Sequence, residues 1–343
     1  MPALVVADEL TSRGIQVSWL GTREGIEADL VPDRGYSLYP IQIQGLRKSG
    51  WMRKLLLPVA LTRAMFQSAG LFRRLKPDVV LGMGGFASGP GGLVAGIFRV
   101  PIVLHEQNSV AGLTNKWLAR ISRYCLGGFP DIEGLEGAQW VGNPVNNAIA
   151  GVPEPEQRYA GREGEFRVLV VGGSQGAQVF NEQMPGLLAR SGIEGLVVRH
   201  QCGKQGGPEI ATEYQRHGIS SSVETFVNDM KQAYAWCDLV ICRAGAMTVS
   251  ELCCAGVPAI FVPYPYAVSD HQAVNAHFMA GRDAAIMVRQ PEFVAGNWLD
   301  ELRDLANNRG RLLDMARKAR TLGRQDSAAR VADYCMEAIC ASS

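Results

Sequence analysis

The sequence predicts an α/β protein made of two doubly wound parallel-sheet domains facing a cleft. Three observations carry that expectation. Short apolar runs rich in β-branched residues alternate with stretches of helical spacing along the whole chain, which is the pattern of parallel strands covered on both faces. The runs fall into two series separated by a polar, Pro/Gly-rich break: Gly142-Asn-Pro144, Val152-Pro-Glu-Pro155 and Gly161-Arg-Glu-Gly164. The chain has 343 residues, long for one domain and comfortable for two.

The first series opens on Pro2–Leu10, which reads as a helix with Pro in the tolerated first turn. It leads into a strand at Gln16–Leu20. A doubly wound domain normally begins with a strand and a glycine turn ahead of that helix. The chain therefore reads as truncated or mis-started. Loss of a strand from the middle of a sheet exposes apolar surface and unpaired backbone groups. Leu55–Leu75 has helical spacing. Pro77–Gly82 reads as a strand running into the glycine-rich Leu81–Gly92, and Val100–Leu104 as a strand ending at His105-Glu-Gln-Asn108.

The second series comprises Phe166–Val171, Leu196–Arg199, Val223–Phe226, Asp238–Cys242, Pro258–Val262 and Ala284–Val288. A last helix near Ser327–Ile339 has no strand after it and is free to pack back across the junction. The expected division is residues 1-145 for the first domain and 146-326 for the second, with the helix at 327-342 returning to the first.

Apolar residues make up 47% of the chain and charged residues 20%, ordinary for a soluble globular protein. Net charge is +1, so total charge singles out no partner. Its distribution is more telling. From Arg34 to Arg123 there are 13 Lys/Arg against 2 acids, Asp78 and Glu106, an excess of 11. Such a block favours phosphates, anionic lipid or nucleic acid, or is simply a basic surface. The 8 cysteines form no C-x-x-C pair and no zinc-finger spacing, and many lie in apolar runs. They read as small buried hydrophobes in a reducing compartment. No signal peptide and no membrane-length apolar stretch is visible, so the cytoplasm is expected.

Three turns of the second series carry chemistry. Val171-Gly-Gly-Ser-Gln-Gly-Ala177 follows a strand and opens a helix. Its glycines permit close backbone approach, and the helix start offers free N–H groups and a positive dipole end that suit a diphosphate. It is neither a P-loop nor the dinucleotide fingerprint. Cys242-Arg-Ala-Gly-Ala-Met-Thr-Val-Ser-Glu251 has the same setting. Glu251 there either accepts hydrogen bonds from a ribose diol or offsets the helix dipole. Pro263-Tyr-Pro-Tyr-Ala-Val-Ser-Asp-His-Gln272 follows another strand. Gln272 and Asp270 could read sugar hydroxyls, or Asp270 could cap the next helix. In the first series, His105 or Glu106 could serve as a general base or orient one, or belong to a buried turn network.

The segments GGSQGA (172–177), HEQN (105–108), AGLTNK (111–116), GNPV (142–145), AGREG (160–164) and TVSE (248–251) together closely resemble the MurG family of bacterial glycosyltransferases. The likeness runs from Pro2 to the end with order and spacing kept. It implies a GT-B fold of two Rossmann-like domains and inverting transfer from UDP-N-acetylglucosamine to undecaprenyl-pyrophosphoryl-N-acetylmuramoyl pentapeptide in peptidoglycan synthesis. It implies no cofactor and no obligatory metal. The setting it implies is peripheral, on the cytoplasmic face of the bacterial inner membrane, with an anionic membrane surface as partner and no nucleic acid.

By the same resemblance Arg162 and Ser174, with Gln175 and Gly176, look like donor-phosphate contacts, and the Val227 backbone meets uracil. Ala246, Met247, Thr248, Val249, Ser250 and Glu251 line the nucleotide, with Glu251 on the ribose. Gln272 touches the sugar, Asn108 binds substrate, and His105 and Glu106 form a polar pair in the active site. Two departures stand out. The loop after Tyr264 differs in length from that of some members. The family also opens on a strand and a GGTGGHxxPA loop, of which this chain begins at the Pro-Ala, without the glycines and histidine expected to serve the acceptor. The alternative is a catalytically impaired UDP-sugar-binding fragment. Beside Trp51–Ala60, bulky apolar residues and cations suggest docking on anionic lipid.

Overall fold

A computed structural model describes residues 2–43, 51–173, 178–204 and 206–341, with the backbone alone at 51–57 and 268. The chain divides into two compact units, Met1–Pro144 with Asp326–Ser343, and Val145–Gln325.

In the first unit the strands are β1 (Ser18–Gly21), β2 (Ser37–Pro40), β3 (Val80–Gly82), β4 (Ile102–Glu106), β5 (Tyr124–Gly127) and β6 (Gln139–Trp140). β4 shows why the sheet is covered on both sides. Its side chains alternate between faces. Ile102 and Leu104 pack with Phe72, Val94 and Leu118. Val103 packs with Val6 and Leu10 of the helix Pro2–Ser12 and with Val331 and Cys335 of the helix Ser327–Cys340. The last helix of the chain thus completes the core of the first unit.

That sheet is in two pieces. β1 pairs in parallel with β2, and β3-β4-β5-β6 form a separate parallel ladder. No ladder joins β1 to β3 among the described residues. Val80 and Leu81 are half-buried where all of β4 is buried. β3 is thus an edge of its ladder among the described residues.

The second unit holds β7 (Phe166–Val171), β8 (Leu196–Gln201), β9 (Ser220–Glu224), β10 (Leu239–Cys242), β11 (Ala259–Phe261) and β12 (Ala285–Met287). Their order is β12-β11-β10-β7-β8-β9, parallel throughout. Val168 and Val170 pack against Phe180, Met184 and Leu187 of the helix Gln178–Ser191 in one large core. The chain winds outward through β8 and β9, then returns to the other side of β7 with β10. The crevice at the carboxyl ends of β7 and β10 is therefore a topological switch point, where doubly wound sheets bind ligands.

Six cysteines are buried, Cys125 is half-buried and Cys340 is exposed; all eight are free thiols. Burial pushes the Cys237 thiol up to about 12, in keeping with a packing role.

Candidate functional site

Val171 at the end of β7 stands opposite Cys242 at the end of β10. The turns that follow, Gly172-Gly173 and Arg243-Ala244-Gly245, leave the sheet side by side. Gly173 has φ 87°, a conformation that glycine adopts without strain. A buried amide fixes each turn. Gln201 at the end of β8 donates from Nε2 to Gly173 O at 2.9 Å, and Asn275 donates from Nδ2 to Ala244 O at 3.3 Å. The helix Ala246–Ala255 starts at Gly245 with no side-chain cap, so its first N–H groups and positive dipole end face this edge. Ser174, Gln175 and Gly176 lie outside the described residues.

Ala246, Val249 and Ser250 are buried, and Met247 and Thr248 half-buried, on the first turns of that helix. Glu251 sits on its second turn, where Tyr234 Oη donates to Glu251 Oε2 at 3.1 Å. Burial pushes the Glu251 carboxyl above the usual range, and the Tyr234 bond pulls it back in part. Val227 is buried in the segment after β9, and Phe226 beside it is exposed. Gln272 Oε1 accepts from Tyr264 N–H at 2.9 Å, which ties the loop after β11 to the helix His271–Ala280. Because all six strands run in parallel, these residues share one edge of the sheet.

Arg162 does not join them. It lies four residues ahead of β7, at the amino edge. It donates to Cys237 O (3.1 Å) and Ala235 O (2.6 Å) and pairs with the fully buried Asp238 at 2.6 Å, just before β10. Six strand residues at roughly 3.3 Å each set it about 20 Å from the glycine turn. Asp238 also pairs with Arg309 and accepts from Arg167 N–H. In this structure Arg162 clamps a buried carboxylate. Asp270 is corrected as a cap: it holds the N-cap position without a side-chain cap bond and instead pairs with Arg289 at 2.8 Å.

In the first unit, His105 and Glu106 end β4 and are buried. His105 Nε2 meets Gly142 O at 2.8 Å, and Gln107 Nε2 meets His105 Nδ1 at 3.2 Å. Burial lowers the His105 pKa to about 4, so the ring is neutral. Glu106 accepts from Asn108 N–H (3.0 Å), Asn108 Nδ2 (3.3 Å), Gly112 N–H (3.0 Å) and Asn115 Nδ2 (2.8 Å). These four donors fix the orientation of the carboxylate. The pair belongs to a buried turn network that shapes the 107–115 loop and orients Asn108.

With this geometry in place, two domain families match. The glycosyltransferase family 28 N-terminal domain covers residues 1–125, and the glycosyltransferase family 28 C-terminal domain covers residues 167–331.

The chain belongs to glycosyltransferase family 28.

A curated relative from Marinobacter nauticus, named UDP-N-acetylglucosamine--N-acetylmuramyl-(pentapeptide) pyrophosphoryl-undecaprenol N-acetylglucosamine transferase, is 49% identical over 98% of this chain and 93% of its own length. A relative of the same name from Alcanivorax borkumensis is 47% identical, covering 98% of this chain and 94% of its own. The crystal structure of Acinetobacter baumannii MurG superposes with a TM-score of 0.87 at 37% identity, over 98% of this chain and 95% of that one. Each unit is accordingly one Rossmann-like half of a GT-B glycosyltransferase.

Within this family 28 chain, four contributors escaped sequence reasoning: Gln201, Asn275, Tyr234 and Arg243. Gln201 had a signal, a polar residue closing an apolar strand. The others act through contacts between elements far apart in sequence. A cavity of about 600 Å³ along β12 includes Arg311 and Lys318, but these pair with Glu301, Asp304 and Asp283, so it offers no uncompensated charge. No group of three or more His, Cys, Asp or Glu among the described residues is arranged to hold a metal ion.

Proposed function

We propose that this chain transfers N-acetylglucosamine from UDP-N-acetylglucosamine to undecaprenyl-pyrophosphoryl-N-acetylmuramoyl pentapeptide. The observation that carries the reading is 49% identity over 98% of the chain to a relative of that name. The second unit adds a chemical rationale. Adjacent carboxyl-edge turns, one glycine-rich and one opening an uncapped helix, suit a nucleotide diphosphate.

The proposed step is a single displacement with inversion. An acceptor hydroxyl attacks the anomeric carbon, the bond to the diphosphate breaks, UDP departs and the hydroxyl proton is lost. The helix terminus stabilises the charge growing on the diphosphate. Glu251 takes the ribose, the Val227 backbone the uracil and Gln272 the sugar. Asn108, held by Glu106, faces the acceptor. Incubating the protein with UDP-N-acetylglucosamine and a lipid-linked muramoyl acceptor should yield one UDP per disaccharide formed. Tight UDP-sugar binding without transfer would favour the binding-only alternative, and absence of both would refute the reading.

We infer further that the first unit docks peripherally on anionic lipid, at the cytoplasmic face of the inner membrane. Leu93 and Ile97 on one helix, Leu113 and Trp117 on its neighbour, and Ile121 in the turn that follows are exposed. Arg120 lies over the Trp117 ring at 4.6 Å. Apolar anchors beside cations suit an interface with anionic headgroups. This surface differs from the expected Trp51–Ala60, where side chains 51–57 fall outside the described residues. No described helix is long and apolar enough to cross a membrane.

A further inference from the structure

Arg243 directly follows β10 and carries a cation that no carboxylate neutralises among the described residues. Its Nη1 donates to Val262 O at 3.0 Å and Pro263 O at 3.2 Å, and its Nη2 to Gln290 Oε1 at 2.8 Å. The guanidinium lies between two rings, 5.1 Å from the centroid of Phe180 and 5.5 Å from that of Tyr264. Burial lowers its pKa. One side chain therefore touches the helix that follows the glycine turn, the loop after β11 and the start of the helix Gln290–Ala295.

The loop after β11 needs such an anchor. Ser269 and Asp270 both adopt left-handed backbone conformations, φ 53° and φ 49°, which non-glycine residues hold only when surroundings over-determine them. The Asp270–Arg289 pair holds one end of this loop. Arg243 holds the other, beside Tyr264, whose N–H donates to Gln272. A half-buried cation satisfied only by carbonyls, an amide and ring faces is weak as a stability device. It is strong as a fixed fork, which lysine does not reproduce.

We propose that Arg243 is a positioning residue that locks the 262–272 loop against the helix behind the glycine turn, setting Gln272 for the sugar of the donor. The sugar part rests on the donor reading above; the clamp itself does not.

The test uses the full chain with Arg243→Lys and two measurements. The first is backbone hydrogen exchange without ligand. Residues 263–272 should exchange about 10-fold faster in the variant, with 246–251 unchanged, since lost bonds to a charged donor have effects of that order. The second is calorimetric affinity for UDP and for UDP-N-acetylglucosamine. The nucleotide sugar should bind about 10-fold more weakly while UDP stays within about 2-fold, since only the sugar reaches the clamped loop. Steady-state donor KM should rise with kcat lowered. Unchanged exchange overturns the clamp, and an equal loss for both nucleotides overturns its sugar-positioning role. Should the lysine variant fail to fold, Tyr264→Leu removes one ring face and should shift the same ratio by about 3-fold; no change in ratio or exchange there overturns the proposal. If the wild type binds neither nucleotide, the donor reading falls and the exchange measurement alone decides the clamp.

Discussion

Burial of the Glu251 carboxyl comes at a cost to the fold. Its folded pKa is raised, so the charged form is disfavoured by burial. For an acid shifted upward, the stabilising contribution is present at low pH and lost as pH rises through the folded pKa. Glu251→Gln should therefore raise thermal stability relative to wild type at neutral pH, an advantage that fades in acid. Glu251→Ala should weaken UDP binding by about 10-fold or more, the loss expected for hydrogen bonds to a charged group. Equal UDP affinity in both proteins would remove Glu251 from the ribose. His105 has the opposite sign. Its pKa falls to about 4, so its contribution is whole above the ordinary 6.5 and is lost as pH drops through 4. Wild type should lose on the order of 3 kcal/mol between these limits. His105→Gln should flatten that slope in chemical denaturation series, and an unchanged slope would contradict burial of a neutral ring. The place of Glu251 early in a helix that follows a strand was legible in the sequence. The clamp that Arg162 makes on Asp238 was not legible, because it joins residues far apart in sequence.

At the scale of elements, apolar runs of five or six residues announced β4, β7 and β10. The short mixed strands β2, β5 and β6 did not. Ser37-Leu-Tyr-Pro40 and Gln139-Trp140 contain too few β-branched residues to be distinguished from loop, and neighbours in the sheet decide them. β9 begins at Ser220 rather than Val223, because an edge strand tolerates polar residues that carry no strand signal. The helix Ala246–Ala255 shows the same dependence on neighbours. It ends at Gly256 with φ 62°, and a Cβ there would stand 3.1 Å from both Arg320 Cβ and Pro155 Cγ. Gly256→Ala should cost about 2 kcal/mol, since the left-handed cap alone disfavours a side chain by roughly 1–2 kcal/mol and the contacts add to it. Urea denaturation of the second unit would measure this; a cost below about 0.5 kcal/mol would mean that the helix end shifts to relieve both.

At the scale of the whole molecule, the basic and apolar surface belongs to one unit and the nucleotide edge to the other, so the two activities should separate by mutation. Gly89, Gly92 and Gly96 face Thr114, Leu118 and Ile121, which brings the helices Ser88–Ile97 and Leu113–Leu118 close together. Their outer sides then join, with Ile97 67%, Leu113 73% and Trp117 63% exposed. In the sequence, Leu113 and Trp117 at i and i+4 are indistinguishable from a core stripe, because spacing reports a shared face and says nothing of what covers it. Each exposed apolar side chain would gain about 1.5–3 kcal/mol on entering the interface, whereas a glutamate there would also repel anionic headgroups. Trp117→Glu and Leu113→Glu together should therefore reduce co-sedimentation with phosphatidylglycerol-containing vesicles by at least about 10-fold, and wild-type binding should weaken as salt rises. UDP affinity should stay at the wild-type value, because no residue proposed for the nucleotide lies in that unit. Retained vesicle binding in the double variant would place the lipid contact elsewhere on the chain, and a parallel loss of UDP affinity would show that the two units do not act independently.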